Sequence, residues 1–424
     1  MVGLAALVGD DEQFFTRHLG KRPLLRGGAI ADVRAIASLD DIDRVITGSG
    51  LRAPGVRVVK DGTVLPQDRY TSPSTLGYAG LTDVVDPAKV TRLFRGGATI
   101  VLGTVDLLLP RLHELCKNVE MDVGHPVDAN VYIAPPGANA FQVHCDAQDI
   151  LVIQVYGGKR WTRFDHIVPN PGGGRMLPGL DAPSTVYDLR AGDVLYVPRG
   201  MPHLVRTDTS SSVHVTLSIN TLTWADLLTD LTARILRSAA YSRPLPMGRD
   251  VARQAEPLLK QYADELAARL ADSDAAALHR AIYSRPAFAE GHRTGLLRDA
   301  LLDTPPPGRP DRITLRPGTW PIIANPDATT ERPGATPSAT PSATPSAAPG
   351  AASGVTPGAQ GRGEAVRIEV GGRAFQVAPE VADACRRLLD GGPLPVEALS
   401  ADPAAGARIA EVLLALGLCT TSPH

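Results

Sequence analysis

Three side chains of this sequence have the types and spacing to hold a metal ion. In "FQVHCDAQDILVIQVYGGKRW", Phe141 to Trp161, His144 and Asp146 stand two apart just before an apolar run. Side chains two apart in a β-strand share a face, so these two project together while Cys145 points the other way. A neutral imidazole beside a carboxylate is two thirds of the two-histidine, one-carboxylate set that binds non-haem Fe(II) on one face of an octahedron. The third ligand has to be a second histidine brought near by the fold. His203 is the best candidate, because "GDVLYVPRGMPH" sets it just after an apolar strand and a tight Pro/Gly turn that restricts its motion. A lone HxD is expected about once by chance in a chain with ten histidines. Strand context, chain order and separation agree with one another, and that conjunction carries the argument.

Three ligands on one octahedral face leave three positions open. An α-keto acid chelates through two of them and dioxygen takes the last. If the keto acid is 2-oxoglutarate, its far carboxylate needs a cation at the inner end of the pocket, and Lys159, fifteen positions beyond His144, could supply it. The plainer alternative makes Lys159 an exposed residue of the turn "GGKR". Asn130 and Tyr132 share one strand face, and Thr216 and Ser218 another in "SVHVTLSIN". Each pair could hydrogen-bond the cosubstrate, fill a polar barrel interior, or simply face solvent.

The elements that must position these residues run from about Asn130 to Asn220. Short β-rich segments alternate there with Pro/Gly turns: "NVYIAPPGANAFQVHCD", "DILVIQVYGGKRWTRF", "STVYDLRAGDVLYVPRGMPH" and "SSVHVTLSINT". Such a run predicts an antiparallel sandwich or barrel. Before it, "DDEQFFTRHLG", "SLDDIDRVITGSG" and "DPAKVTRLFRGG" read as helices that begin at a cap and end at glycine. After Trp224 the pattern is helical again, through "WADLLTDLTARILRSA" and "DVARQAEPLLKQYADELAARLADSDAAALHRAI".

The stretch "TTERPGATPSATPSATPSAAPGAASGVTPGAQGRG" repeats Thr-Pro-Ser-Ala with almost no large apolar side chain, and reads as a disordered linker. Beyond it, "AVRIEVGGRAFQV" and two helical segments predict a small winged-helix-like domain. Five arginines against eight carboxylates leave this tail acidic, which argues against a DNA reader. The expected organisation is an oxygenase-type domain at 1–222 with its barrel core from about 125, an all-helical region at 223–325, the linker at 326–363 and the small domain at 364–424.

Bulk properties agree. The 424 residues exceed one typical core, and 43 basic against 45 acidic side chains give a net charge of −2, with no general attraction to nucleic acid or anionic membranes. Cys116, Cys145, Cys385 and Cys419 form no CxxC pair, so a reduced, cytoplasmic setting is expected. The N-terminus makes a poor signal peptide, and no apolar run approaches the ~20 residues of a membrane span.

The segments "NVYIAPPGANAFQVHCDAQDILVIQVYGGKRW", "AGDVLYVPRGMPHLV" and "SVHVTLSIN" resemble the JmjC-type cupin oxygenases, specifically the ribosomal-oxygenase branch. The resemblance covers most of residues 1–320. It implies a mainly β double-stranded β-helix, or jelly-roll, core with flanking helices. It also implies Fe(II) at His144, Asp146 and His203, with 2-oxoglutarate anchored by Lys159. Asn130, Tyr132 and Ser218 match the family's further positions. A helical dimerisation region and a C-terminal winged helix complete the plan. The implied reaction uses O2 and releases succinate while hydroxylating a protein or peptide side chain, such as a ribosomal-protein histidine or arginine. A tailoring hydroxylase of peptide products, and a non-catalytic metal-binding or sensing cupin, are the alternatives. Two departures stand out: Cys145 where the family commonly has an aromatic residue, and the inserted linker.

Overall fold

The structure, a computed structural model, describes residues 3–76, 79–139, 141–283, 312–315, 321–323, 365–370, 373–391, 393–416 and 418–421. It divides into two compact units, Met1–Thr223 and Trp224–His424.

The first unit holds fifteen strands: β1 (Leu24–Arg26), β2 (Val56–Lys60), β3 (Thr63–Val64), β4 (Thr71–Leu76), β5 (Ala79–Val85), β6 (Thr99–Leu102), β7 (Val127–Ala134), β8 (His144–Cys145), β9 (Asp149–Tyr156), β10 (Gly158–Phe164), β11 (Arg175–Met176), β12 (Ser184–Arg190), β13 (Val194–Val197), β14 (His203–Arg206) and β15 (Ser212–Ile219). Eight form one antiparallel sheet in the order β1-β13-β9-β15-β7-β6-β2-β3, and five form a second in the order β11-β8-β14-β10-β12. This is the jelly-roll plan that the family resemblance implies, within the antiparallel sandwich or barrel that the strand pattern predicts.

Strand β9 is apolar along almost its whole length because both of its faces are covered. Leu151, Ile153 and Val155 belong to the core between the large sheet and the helices. Ile150 and Val152 belong to a second core between the sheets, with Trp161, Leu189, Leu195, Val197 and Met201. Strand β15 is buried throughout but divided by face. Val213, Val215, Leu217 and Ile219 enter the helix-side core. His214, Thr216 and Ser218 take the other face and are buried as well, which excludes the solvent-facing reading of this polar row.

Local chemistry sets the covering helices. Ser38 and Asp41 form a reciprocal capping box at the start of helix Leu39–Gly48. Asp86 caps helix Pro87–Arg95, which carries proline in its first turn. Helix Pro110–Val123 ends at Gly124, whose φ of 70° suits glycine.

The second unit contains helices Trp224–Ile235, Val251–Ala271 and Ala275–Tyr283, then β16 (Arg312–Leu315), β17 (Ile322–Ile323), β18 (Val366–Val370) and β19 (Arg373–Val377). Helix Pro379–Gly391, β20 (Leu394–Pro395), helix Pro403–Ala415 and β21 (Cys419–Thr421) follow. Two of these strands correct the all-helical expectation for 223–325. Strand β16 lies between β20 and β21, and β17 pairs with β18, Ile323 opposite Ile368. The tail's two sheets are therefore each completed by a strand that precedes the Thr/Pro/Ser/Ala stretch. The 326–363 linker itself lies outside the described residues. No described helix is long and apolar enough to cross a membrane.

Candidate metal centre and cosubstrate recess

Strands β8 and β14 lie side by side with His144 opposite His203, so the first and third proposed ligands meet through backbone pairing. Their ring centroids are 4.4 Å apart. Asp146, just past the end of β8, has one carboxylate oxygen 4.0 Å from His144 Nε2 and the other 3.6 Å from His203 Nε2. The three groups offer ligand atoms within 4.8 Å of one another, and form the only such cluster of three among the described residues.

Each imidazole is oriented by its other nitrogen. His144 Nδ1 donates to the Gln142 carbonyl at 2.8 Å, and His203 Nδ1 donates to the Met201 carbonyl at 3.1 Å. A carbonyl can only accept, so the ring protons sit on Nδ1 and both Nε2 atoms carry free lone pairs. Burial, and then the neighbouring His144, push the His203 pKa down to about 4, which keeps it neutral and able to ligate. Two imidazoles and a carboxylate with three further positions available are a donor set suited to Fe(II). Cys145 is buried on the opposite face, as strand parity requires.

The turn before His203 is held at both ends. Gly200 has φ +72°, and a Cβ there would come 2.3 Å from the Val168 carbonyl oxygen, so no other residue fits without strain. Its N–H donates to the Asp146 carbonyl at 2.9 Å, tying the two ligand-bearing segments together. Nearby, Asp149 accepts from Tyr196 Oη, from Arg199 N at 3.3 Å and from Thr221 Oγ1 at 2.8 Å, which braces the same turn.

From His144, Asp146 and His203 a recess of about 520 Å3, part of it open to solvent, runs between the sheets. Phe141, Ile150, Trp161 and Val205 give it apolar walls, and Tyr132, Lys159, Thr207, His214 and Thr216 line it with polar groups. Lys159 is buried on β10, not exposed in the turn. The turn before it depends on Gly157, whose φ is +65° and where a Cβ would meet the Ser211 carbonyl oxygen at 2.0 Å. Among the described residues no carboxylate pairs with Lys159. Its Nζ donates to His214 Nδ1 at 3.3 Å, and burial pushes its pKa down to about 7. The His214 ring stacks on Tyr132 with centroids 4.7 Å apart. Burial, and then the adjacent lysine charge, hold the His214 pKa well below its usual value.

Of the expected cosubstrate residues, Lys159, Tyr132 and Thr216 line the recess, whereas Asn130 and Ser218 do not. Both have the right strand parity, but they lie farther along β7 and β15 and bond to each other: Asn130 Nδ2 donates to Ser218 Oγ at 3.2 Å and to Asp128 at 3.2 Å. Asn130 Oδ1 is taken up by the Thr104 N–H at 3.2 Å. Two further polar residues, Thr207 and His214, also line the recess, and strand alternation is the signal in the sequence that points to them. Thr207 shares the period-2 face of His203 and Val205, and His214 heads the row that contains Thr216.

Residues 108–227 match the family described as the JmjC domain. The chain is 34% identical over 174 residues to the bifunctional lysine-specific demethylase and histidyl-hydroxylase NO66 of Drosophila simulans, covering 38% of this chain and 20% of that protein. With the Drosophila melanogaster protein of the same name the identity is 33% over 174 residues, covering 38% and 27%. The match thus spans a fifth to a quarter of the length of these relatives. Among solved structures, the Escherichia coli ribosomal oxygenase YcfD shares the fold at a TM-score of 0.51 and 14% identity over 98% of both chains. Its complex with cobalt and 2-oxoglutarate gives 0.50 and 15%, over 96% of this chain and 97% of that one. Residues 108–227 thus match the JmjC domain, and the chain shares its fold with a ribosomal oxygenase.

Proposed function

We propose that the protein is an Fe(II)- and 2-oxoglutarate-dependent oxygenase that hydroxylates a side chain of a protein or peptide. The observation that carries this reading is a single recess with a facial set of two imidazoles and a carboxylate at one end and, at the other, a buried lysine that pairs with no carboxylate among the described residues. Fe(II) bound by His144, Asp146 and His203, with 2-oxoglutarate and O2, supplies the oxidising power for C–H hydroxylation, with succinate and CO2 as co-products. The chain's own residues do the rest. The backbone carbonyls of Gln142 and Met201 fix both ligand tautomers. Lys159 offers its ammonium to the far carboxylate, and Tyr132 and Thr216 offer hydroxyls along the recess. Ile150, Trp161 and Val205 exclude water from the space between.

A sensing cupin has no use for an open metal face combined with a carboxylate anchor, and the recess has both. The hydroxylated residue is read as a histidine or arginine of a ribosomal protein, since the relatives are named as a histidyl-hydroxylase and a ribosomal oxygenase. Hydroxylation is preferred to demethylation. Homodimerisation through the helices of the second unit, a winged-helix-like fold for 364–424 and a cytoplasmic location complete the proposal. Exposed apolar side chains such as Trp224 and Leu228 on the first of those helices support the dimer.

The test is anaerobic reconstitution with Fe(II) followed by 2-oxoglutarate. A visible absorption band that needs both supports the oxygenase. Its absence, with no succinate formed on adding O2 and a ribosomal-protein pool, removes the reading. A one-oxygen mass increase on a ribosomal protein identifies the substrate class. Unchanged ribosomal-protein masses alongside succinate formation would turn the search to peptide products.

A further inference from the structure

An oxidisable side chain stands beside the candidate metal centre and has no role so far. Strand β11 forms the outer edge of the small sheet and pairs with β8, which sets Met176 opposite His144 and Arg175 opposite Cys145. His144 in turn lies opposite His203. Met176, His144 and His203 therefore form one transverse row, and residues opposite one another in such a row project from the same face of the sheet. Their Cβ atoms stand about 5 Å apart. The Met176 thioether is thus a neighbour of the His144 imidazole, on the face where the ligand atoms converge.

The pairing also brings the two side chains close. The Leu177 N–H donates to the Val143 carbonyl at 2.8 Å, so Leu177 and Val143 form a hydrogen-bonded pair of the ladder. The next pair along, Met176 with His144, is then the non-hydrogen-bonded kind, in which opposing side chains approach more closely. Met176 is 48% exposed, which leaves its sulfur at the rim of the site. The other sulfur near the ligands belongs to Met201, two residues before His203. That side chain is only 4% exposed and packs in the core between the sheets with Ile150 and Trp161. A thioether takes up one oxygen atom without losing a proton, which no aromatic ring of the recess wall can do.

Resting on the oxygenase reading above, we propose that Met176 is a self-modification site, its thioether being oxidised to the sulfoxide when turnover occurs without substrate. The balance closes with no further reagent. 2-Oxoglutarate loses CO2 by cleavage of the bond between its first and second carbons, and one atom of O2 enters the new succinate carboxylate. The O–O bond breaks, and the second atom forms the S–O bond of Met176. The sulfur gives up two electrons and the cosubstrate two, and no proton is consumed or released. A polar sulfoxide then replaces an apolar side chain at the rim.

The experiment incubates the full-length, Fe(II)-reconstituted protein with 2-oxoglutarate, catalase and isotopically heavy O2, without substrate, and measures the masses of its proteolytic fragments. Met176 should gain one heavy oxygen atom, and the gain should need both iron and 2-oxoglutarate. Met247 is the internal control, because at 86% exposed it is more open to diffusing oxidants. The label on Met176 should exceed that on Met247 about tenfold, reversing the order that exposure alone would set. A second readout needs no turnover. In protein with isotope-labelled methionine methyl groups, bound Mn(II), which is paramagnetic, should broaden the Met176 methyl resonance beyond detection. Diamagnetic Zn(II) should leave it visible, and Met176→Leu assigns the signal.

Succinate formed with no oxygen on Met176, or label carried equally by Met247 or instead by Met201, overturns the modification site and leaves the oxygenase reading standing. A Met176 resonance indifferent to bound Mn(II) overturns its placement beside the metal. Wild-type protein that binds no Mn(II) and forms no succinate sinks the oxygenase reading itself, and this proposal with it.

Discussion

Replacing Lys159 by methionine should split cosubstrate binding from stability in opposite directions. The folded protein holds this amine near pH 7, against 10.5 for a free lysine, through burial alone. That difference corresponds to a cost of about 5 kcal/mol for keeping the charged form folded. The sign follows from proton counting. Between about pH 7 and 10.5 the unfolded chain binds a proton here that the folded chain does not. Wild-type stability therefore falls as the pH is lowered through that window and levels off below it. Methionine removes the cost, so ligand-free Lys159→Met should melt no lower than wild type at pH 7 and show less loss from pH 10 to 7.

Binding should move the other way. A buried carboxylate left without its charged partner loses about 3–5 kcal/mol, or roughly 200- to 5000-fold in Kd. In the wild type, binding above pH 7 must first protonate the lysine, so affinity should fall about tenfold per pH unit there. His214 stays neutral across this range and adds no slope. The variant should show none. Calorimetry at saturating Mn(II) between pH 6.5 and 8.5, with melting curves of the ligand-free proteins, reads both effects. A variant that binds 2-oxoglutarate within threefold of wild type, or a wild type with no slope, would refute the reasoning.

Three further predictions follow from other parts of the molecule. Asp146→Ala removes one of three ligands and should weaken Mn(II) binding at least about 100-fold, since losing even a ligand's supporting partner costs 10- to 100-fold; equilibrium dialysis checks it. Gly157→Ala places a methyl group against the Ser211 carbonyl at a positive φ and should cost about 2–4 kcal/mol. The drop in melting temperature should come with weakened 2-oxoglutarate binding, because the turn sets Lys159. A protease site placed in the Thr/Pro/Ser/Ala stretch and then cut should leave two fragments that co-elute on gel filtration, because β17 and β16 on one side pair with β18, β20 and β21 on the other. Separate elution would mean that the stretch is a plain tether.

The clustering of His144, Asp146 and His203 was readable because strand parity and a rigid turn are local features. The shared face of His144 and Asp146 follows from period-2 alternation and the candidacy of His203 from the rigid turn before it, whereas the inward place of Lys159 was implied by the family resemblance and not by the alternation. Asn130 and Ser218 have the same parity, yet lie past the end of the recess. Where a cavity stops along a strand depends on which side chains of neighbouring strands fill it, and alternation carries no information on that. Thr207 and His214 were within reach of the same rule, and a reading that followed each inward row to its end would have found them. Strands β16 and β17 were harder. They are only four and two residues long, and their partners come from far later in the chain. Pairing at that distance leaves no periodic trace.

The central claim is that His144, Asp146 and His203 bind iron for 2-oxoglutarate turnover. Succinate measured from 2-oxoglutarate, with Fe(II), O2 and a ribosomal-protein pool, tests it most directly, with Asp146→Ala as the paired control. Succinate should depend on iron and oxygen, appear with a one-oxygen mass gain on a substrate, and be absent in the variant. Succinate formation that persists undiminished in Asp146→Ala, or none from fully iron-loaded wild type, would contradict it.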